Sequence, residues 1–214
     1  HSVNEYIADC FGVMCAYDVT TPTLSIYQAN TQQPAPAVII FAGGGYSVQA
    51  IFHEGEDVAK QFASLGIHAI VAKYRLPNTA ISNHYAQLPR VDALAAIDKV
   101  RAMAGEYGID TQKIGVLGFS AGSHLATDVS LAAPDKVDYS VLVYGVTVLS
   151  DANVKWLEQD LLKRPITPDE RTYFNFVERV DKQTPPAFLV HSIDDDVCPY
   201  QESTDYYFAQ IANG

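Results

Sequence analysis

Residues 113–126, KIGVLGFSAGSHLA, decide how the rest of the chain is interpreted. A β-branched apolar run at 114–117 leads into Gly118-Phe119-Ser120-Ala121-Gly122, and an apolar helical pattern follows. A glycine two residues on either side of the serine lets a strand and a helix approach a tight turn that side chains would block. The pattern predicts a strand, a sharp turn and a helix, with the serine exposed at the tip of the turn.

Ser120 is the candidate nucleophile of the chain. A serine hydroxyl attacks a carbonyl only when a base lies beside it and N–H groups point at the oxyanion that forms. The spacing G-x-S-x-G alone also arises by chance in glycine-rich loops. Here the strand and helix signals on both sides supply the structural context that the motif requires.

Four further segments accompany this motif: FAGGGY at 41–46, HEGEDVA at 53–59, YRLP at 74–77 and HSIDDDVCPYQES at 191–203. Together with GFSAGSHLA they resemble the α/β-hydrolase esterase/lipase family. The nearest group is that of the small bacterial carboxylesterases, which includes acetylxylan-esterase-like and feruloyl-esterase-like enzymes. The resemblance begins at about residue 24 and continues to the last residue. It implies an α/β-hydrolase fold and ester hydrolysis, and it says little about the substrate.

The order of the predicted elements agrees with that fold class. Apolar runs alternate with helical stripes through the chain, which is typical of an α/β fold with a mostly parallel central sheet and helices on both faces. At 214 residues the chain is long enough for one sizeable core, so a single domain over 1–214 is expected. Residues 1–23 are expected to form an irregular arm or an edge strand. The C-terminal edge strand of the family has no counterpart in the sequence.

Residues 146–184 carry no strand signal and are expected to form a helical, cap-like excursion. An amphipathic pattern covers 153–163, and three aromatic side chains follow at 173–176. Two interpretations stay open: helices that cap the site, or surface helices with a buried aromatic edge.

The oxyanion hole is expected in the glycine loop Gly43-Gly44-Gly45, directly after a buried apolar run. Three glycines there permit a backbone whose N–H groups point into a pocket. The family resemblance implies that Gly44, Gly45 and Ala121 supply the donors. Ala42 departs from the His or Pro that many relatives have, and a flexible loop without a catalytic role is the alternative.

The candidate acid is one of three adjacent carboxylates, Asp194, Asp195 and Asp196, which follow a predicted strand. Three neighbouring carboxylates repel one another, so a structural role for all three is not expected, although turns and helix caps favour Asp. The resemblance implies that Asp195, four residues after His191, is the triad acid. It would hold the base in the correct tautomer and stabilise the imidazolium.

The general base has no counterpart in the sequence. The chain order in the family is serine, acid, histidine, and no histidine follows Asp195. His53, His124 and His191 are interpreted as structural residues, and His84 as a weak substitute candidate. We expect the base to lie in a C-terminal segment outside this sequence.

Charge and hydrophobicity exclude some classes of binding partner, and the expected chemistry requires no cofactor. The formal charge of −11 argues against nucleic acid and anionic membranes as partners. No window approaches the roughly 18 consecutive apolar residues of a membrane span. Ester hydrolysis by serine requires no metal or organic cofactor. An unpaired sheet edge would favour a homo-oligomer.

The cysteines and the N-terminal residues give weak information about disulfides and the cellular compartment. Three cysteines have no metal-ligand spacing and imply no disulfide framework, although Cys10 and Cys15 could pair. The start of the chain lacks the basic region and apolar run of a signal peptide. This slightly favours the cytoplasm and leaves the compartment open.

Three functions remain open. The leading hypothesis is a serine carboxylester hydrolase for small acyl esters, including acetyl groups on a sugar. A serine exopeptidase of the prolyl-oligopeptidase type would use the same chemistry, but those enzymes usually carry a propeller domain that this sequence lacks. A catalytically dead hydrolase fold that binds a ligand is the third.

Overall fold

The computed structural model of the protein describes residues 4–10 and 12–214. Within them, the strands are β1 Tyr6–Cys10, β2 Val13–Tyr17, β3 Thr23–Tyr27, β4 Ala35–Phe41, β5 Val48–Gln49, β6 His68–Lys73, β7 Ile109–Phe119, β8 Ser140–Val143 and β9 Ala187–Val190. The α-helices are α1 Asp57–Ser64, α2 Leu88–Ala102, α3 Ala104–Tyr107, α4 Ala121–Ala132, α5 Asp151–Trp156, α6 Pro168–Phe174 and α7 Gln201–Asn213. None of the helices in these residues has both the length and the apolar character to cross a bilayer.

A six-stranded sheet forms the centre of the molecule. Its strand order is β3-β6-β4-β7-β8-β9, and every neighbouring pair is parallel except the antiparallel pair of β3 and β6. The apolar run in β4 is buried on both faces, with Ile39, Ile40 and Phe41 fully inaccessible. Because parallel strands end at the same edge, the turns after β4, β7, β8 and β9 meet there, as the expected fold requires.

Helices cover both faces of this sheet. Ala59 of α1 packs on Val38 and Ile40 of β4. On the opposite face, Ile97 of α2 and Leu125 of α4 belong to the larger core cluster. The predicted architecture is therefore confirmed.

The N-terminal residues form a second, smaller sheet. Strands β1 and β2 make an antiparallel hairpin, and β2 pairs with the two-residue strand β5. Cys10 of β1 and Cys15 of β2 are joined as a disulfide, with their Cα atoms 5.8 Å apart. An irregular arm was the wrong alternative here, because the described residues of this segment pair in a sheet of their own.

Residues 146–184 contain α5, α6 and two further helical turns, at Leu157–Leu161 and Phe176–Arg179. Glu202 of α7 fastens the start of this segment. Its buried carboxylate accepts hydrogen bonds from the backbone N–H groups of Thr147 and Val148, each at 2.7 Å, and from Asn153 Nδ2 at 2.6 Å. The Glu202 side chain therefore links the start of this segment to α7.

Replacing Glu202 by Ala is expected to lower the free energy of unfolding by about 3 kcal/mol, because two backbone N–H groups would lose their acceptor inside the protein. Urea unfolding measures the change. Asp205→Ala, on the exposed side of the same helix, should change it by less than about 0.5 kcal/mol. Equal effects of the two substitutions would contradict this role of Glu202.

Candidate active site

Ser120 lies in the turn between β7 and α4, with φ 51° and ψ −118°. Its backbone is held there by two hydrogen bonds. The Ser120 N–H donates to the carbonyl of Val143 at 3.0 Å, and the His124 N–H donates to the carbonyl of Ser120 at 3.0 Å. A positive φ costs energy in a non-glycine residue and is kept only where the surroundings enforce it. The turn therefore has the strained geometry that the sequence predicts.

Gly118 and Gly122 are glycines for steric reasons. A Cβ atom on Gly118 would stand 2.1 Å from the carbonyl oxygen of Gly122, and a Cβ atom on Gly122 would stand 2.0 Å from the carbonyl oxygen of Phe41. Neither position has room for any side chain. The first turn of α4 consequently rests directly on the backbone of β7 and β4.

The glycine loop after β4 lies against this turn. A Cβ atom on Gly43 would stand 3.1 Å from the Ser120 Cβ atom. Gly44 has φ 128°, which side chains rarely permit. In the part of the chain that the structure describes, no acceptor pairs with the N–H groups of Gly44, Gly45 or Ala121. These three groups are available as donors at the sheet edge.

Trp156 of α5 fastens the far end of the glycine loop. Its Nε1–H donates to the carbonyl of Gly45 at 3.3 Å. Its ring stacks on Tyr46, with centroids 5.6 Å apart. The helical segment thus reaches the loop that follows β4 and contacts it at Gly45 and Tyr46.

Asp195 lies in the turn after β9. Its Oδ1 accepts hydrogen bonds from the N–H groups of Val197 at 2.9 Å and Cys198 at 2.8 Å, and its Oδ2 lies 3.6 Å from His191 Nε2. Asp194 instead accepts a bond from the neighbouring Ser192 hydroxyl, which is the local turn role that the sequence predicts.

Cys198 connects the Asp195 turn with Ser120. Burial raises the pKa of its thiol to about 11, the charge of Asp195 raises it too, and a hydrogen bond with the Ser120 side chain opposes the increase. The thiol is therefore protonated near neutral pH and lies near the Ser120 side chain. The structure thus brings Ser120, the glycine loop and Asp195 together at one edge of the sheet.

Both ring nitrogens of His191 have hydrogen-bond partners other than Ser120. Its Nε2 lies 2.6 Å from the carbonyl oxygen of Cys198, and its Nδ1 lies 2.8 Å from the Ser203 hydroxyl. A carbonyl only accepts, so Nε2 carries the proton and donates it there. His191 therefore holds the Asp195 turn against α7.

His124 is buried one helical turn below Ser120. Its Nδ1 lies 2.8 Å from the Tyr46 hydroxyl, and its ring packs among Trp156, Phe174 and Phe176. Burial lowers its pKa to about 3, and the charge of Arg179 adds to the effect. His124 is a neutral packing residue, as the sequence indicates.

The remaining described histidines do not face the serine through a hydrogen bond. His53 and His84 are exposed, and His68 accepts a bond from the Ala29 N–H through Nδ1 at 3.2 Å. Across residues 4–10 and 12–214, no histidine bonds to the Ser120 hydroxyl. Among the described residues, the structure therefore shows no histidine that joins the candidate nucleophile Ser120 to the candidate acid Asp195.

Sequence reasoning missed Glu54 and Tyr144. Glu54 Oε2 accepts the Gly43 N–H at 2.6 Å, and its Oε1 accepts the Tyr144 hydroxyl at 2.9 Å. The segment 53–59 carries part of the family resemblance, and Glu54 lies inside it. The signal in the sequence is the position of Glu54, which stands between the histidine and the glycine of that motif.

In the described residues, no group of three or more His, Cys, Asp or Glu side chains is arranged to hold a metal ion. The chemistry available there is that of a hydroxyl, a carboxylate and backbone N–H donors.

A parallel sheet with a serine turn, a glycine loop and an acid at one edge defines a protein of the α/β-hydrolase fold. The chain belongs to the BD-FAE family, whose sequence model matches residues 24–209. An acetyl ester-xyloside bifunctional hydrolase from Caldicellulosiruptor lactoaceticus has a similar structure, with a TM-score of 0.82 and 32% identity over 91% of this chain and 75% of that one.

Two curated relatives agree with this placement. Endo-1,4-beta-xylanase B of Butyrivibrio fibrisolvens is 31% identical over 88% of this chain, and an acetylxylan esterase of Xylanibacter ruminicola is 29% identical over 83%. The matched regions are 31% and 37% of those proteins, so the chain spans about a third of their length.

The neutral state of His124 predicts how stability depends on pH. The folded-state pKa lies below the ordinary value of about 6.5, so the unfolded chain binds the extra proton as pH falls. Stability should decrease below about pH 6.5, by about 1.4 kcal/mol per pH unit from this group.

Denaturant unfolding at about pH 7 and about pH 5 measures this effect. The loss between them should be about 2 kcal/mol larger in the wild type than in His124→Gln. Phe176→Leu perturbs the same aromatic cluster without removing a titrating group, so it should keep the wild-type pH dependence. A His124→Gln variant with that same dependence would contradict the prediction.

Proposed function

We propose that this chain is the catalytic domain of a serine carboxylester hydrolase that cleaves small acyl esters through an acyl-enzyme intermediate. The observation that carries the proposal is the position of Ser120. It stands in a turn with φ 51°, directly against the glycine loop and near Cys198, which belongs to the turn that holds Asp195. A serine in a strained turn with N–H donors beside it is characteristic of nucleophilic acyl transfer.

Each group has a distinct role in the proposed reaction. The Ser120 hydroxyl attacks the ester carbonyl while its proton moves to a base, and the C–O bond to the alcohol breaks as the tetrahedral intermediate collapses. The N–H groups of Gly44, Gly45 and Ala121 bind the oxyanion. Asp195 orients the base, and water then hydrolyses the acyl-serine.

We propose that the base is a histidine on polypeptide outside these 214 residues. Asp195 Oδ2 makes no hydrogen bond to a described residue and can accept one from an incoming imidazole. Exposed apolar side chains occur on the last strand, in the turn after it and on the last helix: Phe188 is 66% accessible, Ile193 79% and Phe208 64%. An additional strand would cover this surface and pair with the open edge of β9.

The substrate we propose is an acetyl or similarly small acyl ester of a carbohydrate. Support comes from the relatives, one named an acetylxylan esterase and another an acetyl ester-xyloside hydrolase. Aminoacyl amides, the substrates of the exopeptidase alternative, have no comparable support. Comparing turnover of an acetylated xylo-oligosaccharide with that of an aminoacyl amide separates the two.

Ser120→Ala is expected to reduce hydrolysis of 4-nitrophenyl acetate by about 10⁴-fold or more, because no other group can form the acyl intermediate. The measurement is the initial rate of 4-nitrophenolate release. Ser123→Ala is the matched control, since this buried serine lies three residues further along α4 and should retain the wild-type rate.

A wild-type rate that survives in Ser120→Ala would refute the nucleophile. If neither protein turns over, the reaction is repeated with added imidazole, which can replace an external base. A rate restored only in the protein with Ser120 supports the proposed mechanism. No restoration would favour the hydrolase fold that binds without catalysis.

A further inference from the structure

Glu54 bridges two loops at the active edge of the sheet. It belongs to the π-helical turn Ile51–Glu56, which lies behind the glycine loop. One carboxylate oxygen accepts the Gly43 N–H at 2.6 Å, and the other accepts the Tyr144 hydroxyl at 2.9 Å. Gly43 follows β4, and Tyr144 follows β8. Glu54 therefore connects these two segments, with one partner 11 residues and the other 90 residues away from it in sequence.

Gly43 lies between the Glu54 carboxylate and Ser120. A Cβ atom on Gly43 would stand 2.8 Å from Glu54 Oε2 on one side and 3.1 Å from the Ser120 Cβ atom on the other. The same atom would stand 2.7 Å from the carbonyl oxygen of Phe119. Gly43 is thus pressed between the carboxylate and the serine turn, and a small movement of the carboxylate would move the loop relative to Ser120.

The bond to Glu54 also decides which N–H groups of the loop remain free. The Gly43 N–H is used by the carboxylate, so it cannot bind an oxyanion. The carbonyl groups of Gly43 and Gly44 accept bonds from Ala50, and from Ser47 and Val48, each at 3.0 Å. The loop is therefore folded back on its own chain, with the N–H groups of its second and third glycines left as donors.

The surroundings of Glu54 act on the pKa of its carboxyl group in opposite directions. Burial raises the pKa of the carboxyl group, while the bonds from Gly43 and Tyr144 and the nearby His53 oppose that increase. Tyr74, which follows β6, also faces this charge, and its own pKa is raised mainly by burial and further by Glu54. A buried carboxyl group is costly unless its oxygens are bonded, and here both oxygens have partners.

We propose that Glu54 is the positioning residue of the oxyanion loop: by tying Gly43 to Tyr144, it sets the N–H groups of Gly44 and Gly45 at the distance from Ser120 that the transition state requires. This inference rests on the proposed serine mechanism. Donors in an oxyanion hole act only when they are placed in advance, and errors of about 1 Å cost about 100-fold in rate.

Glu54→Ala should therefore lower kcat by about 100-fold and leave KM within about 3-fold, because the oxyanion exists only in the transition state. Rates are measured with 4-nitrophenyl acetate on the Ser120-dependent reaction. Glu54→Gln should recover most of the rate, since its amide oxygen can still accept the Gly43 N–H and its NH₂ group can donate to the Tyr144 oxygen.

Two further variants sharpen the test. Glu56→Ala is the matched control, because this side chain lies two residues away, pairs with Lys60 at 3.6 Å at the surface, and should retain the wild-type rate. Tyr144→Phe releases only one carboxylate oxygen and should lower kcat by about 5-fold, again with KM unchanged. It keeps the proposal testable if Glu54→Ala does not fold.

Hydrogen exchange gives a readout that does not depend on activity. Mass spectrometry of a peptide covering 41–50 should show faster exchange in Glu54→Ala and in Tyr144→Phe than in the wild type and Glu56→Ala. Unchanged exchange, or a wild-type kcat in both Tyr144→Phe and a folded Glu54 variant, would overturn the role of Glu54. A wild type without Ser120-dependent turnover would count against the proposed function instead, and the exchange result would still decide whether Glu54 holds the loop.

Discussion

The structure depends on the direct contact between the backbone of α4 and that of the two central strands. Gly122 lies so close to Phe41 that a Cβ atom would stand 2.0 Å from its carbonyl oxygen. This contact fixes the first turn of α4 over β4 and β7, and it forces Ser120 into a positive φ. Since β4 continues directly into the glycine loop, the same contact brings that loop to the serine. The relative position of nucleophile and candidate oxyanion donors is therefore set by backbone, not by flexible side chains.

Buried polar side chains fix the elements around this contact. Below Ser120, His124 is held neutral among aromatic rings that come mostly from residues 146–184. Asp128, one turn further along α4, bonds to the Tyr173 hydroxyl and lies 3.6 Å from Arg179. Because Trp156 of the same helical segment also bonds to Gly45, α4 and the glycine loop are packed against one common support. A change in the helical segment would reach both halves of the candidate site.

The parts of the fold that could be predicted are those with local signals. The serine turn and the glycine loop are contiguous motifs, so their spacing indicated their geometry. Asp195 could be predicted as the candidate acid because it follows a strand at a spacing typical of the family that the sequence resembles. Glu54 could not be predicted, since its partners lie 11 and 90 residues away in sequence. In addition, a lone Glu in a polar segment normally indicates a solvated surface. The sheet containing β1 was missed because its third strand, β5, is only two residues long, too short for any alternation.

Hydrogen bonds hold the glycine loop and the Asp195 turn in place, and one oxygen of Asp195 has no hydrogen-bond partner among the described residues. The glycine loop is fastened at Gly43 by Glu54 and at Gly45 by Trp156, so its donors need no rearrangement when the oxyanion forms. Asp195 uses one oxygen to bond two backbone N–H groups, which fixes its carboxylate plane and leaves the second oxygen for a ring N–H. His191, the nearest imidazole to that oxygen, already donates to a carbonyl and holds the turn itself. In the proposed mechanism, an imidazole that joins Asp195 to Ser120 would therefore meet a candidate acid, a candidate nucleophile and a candidate oxyanion loop whose positions the backbone already sets.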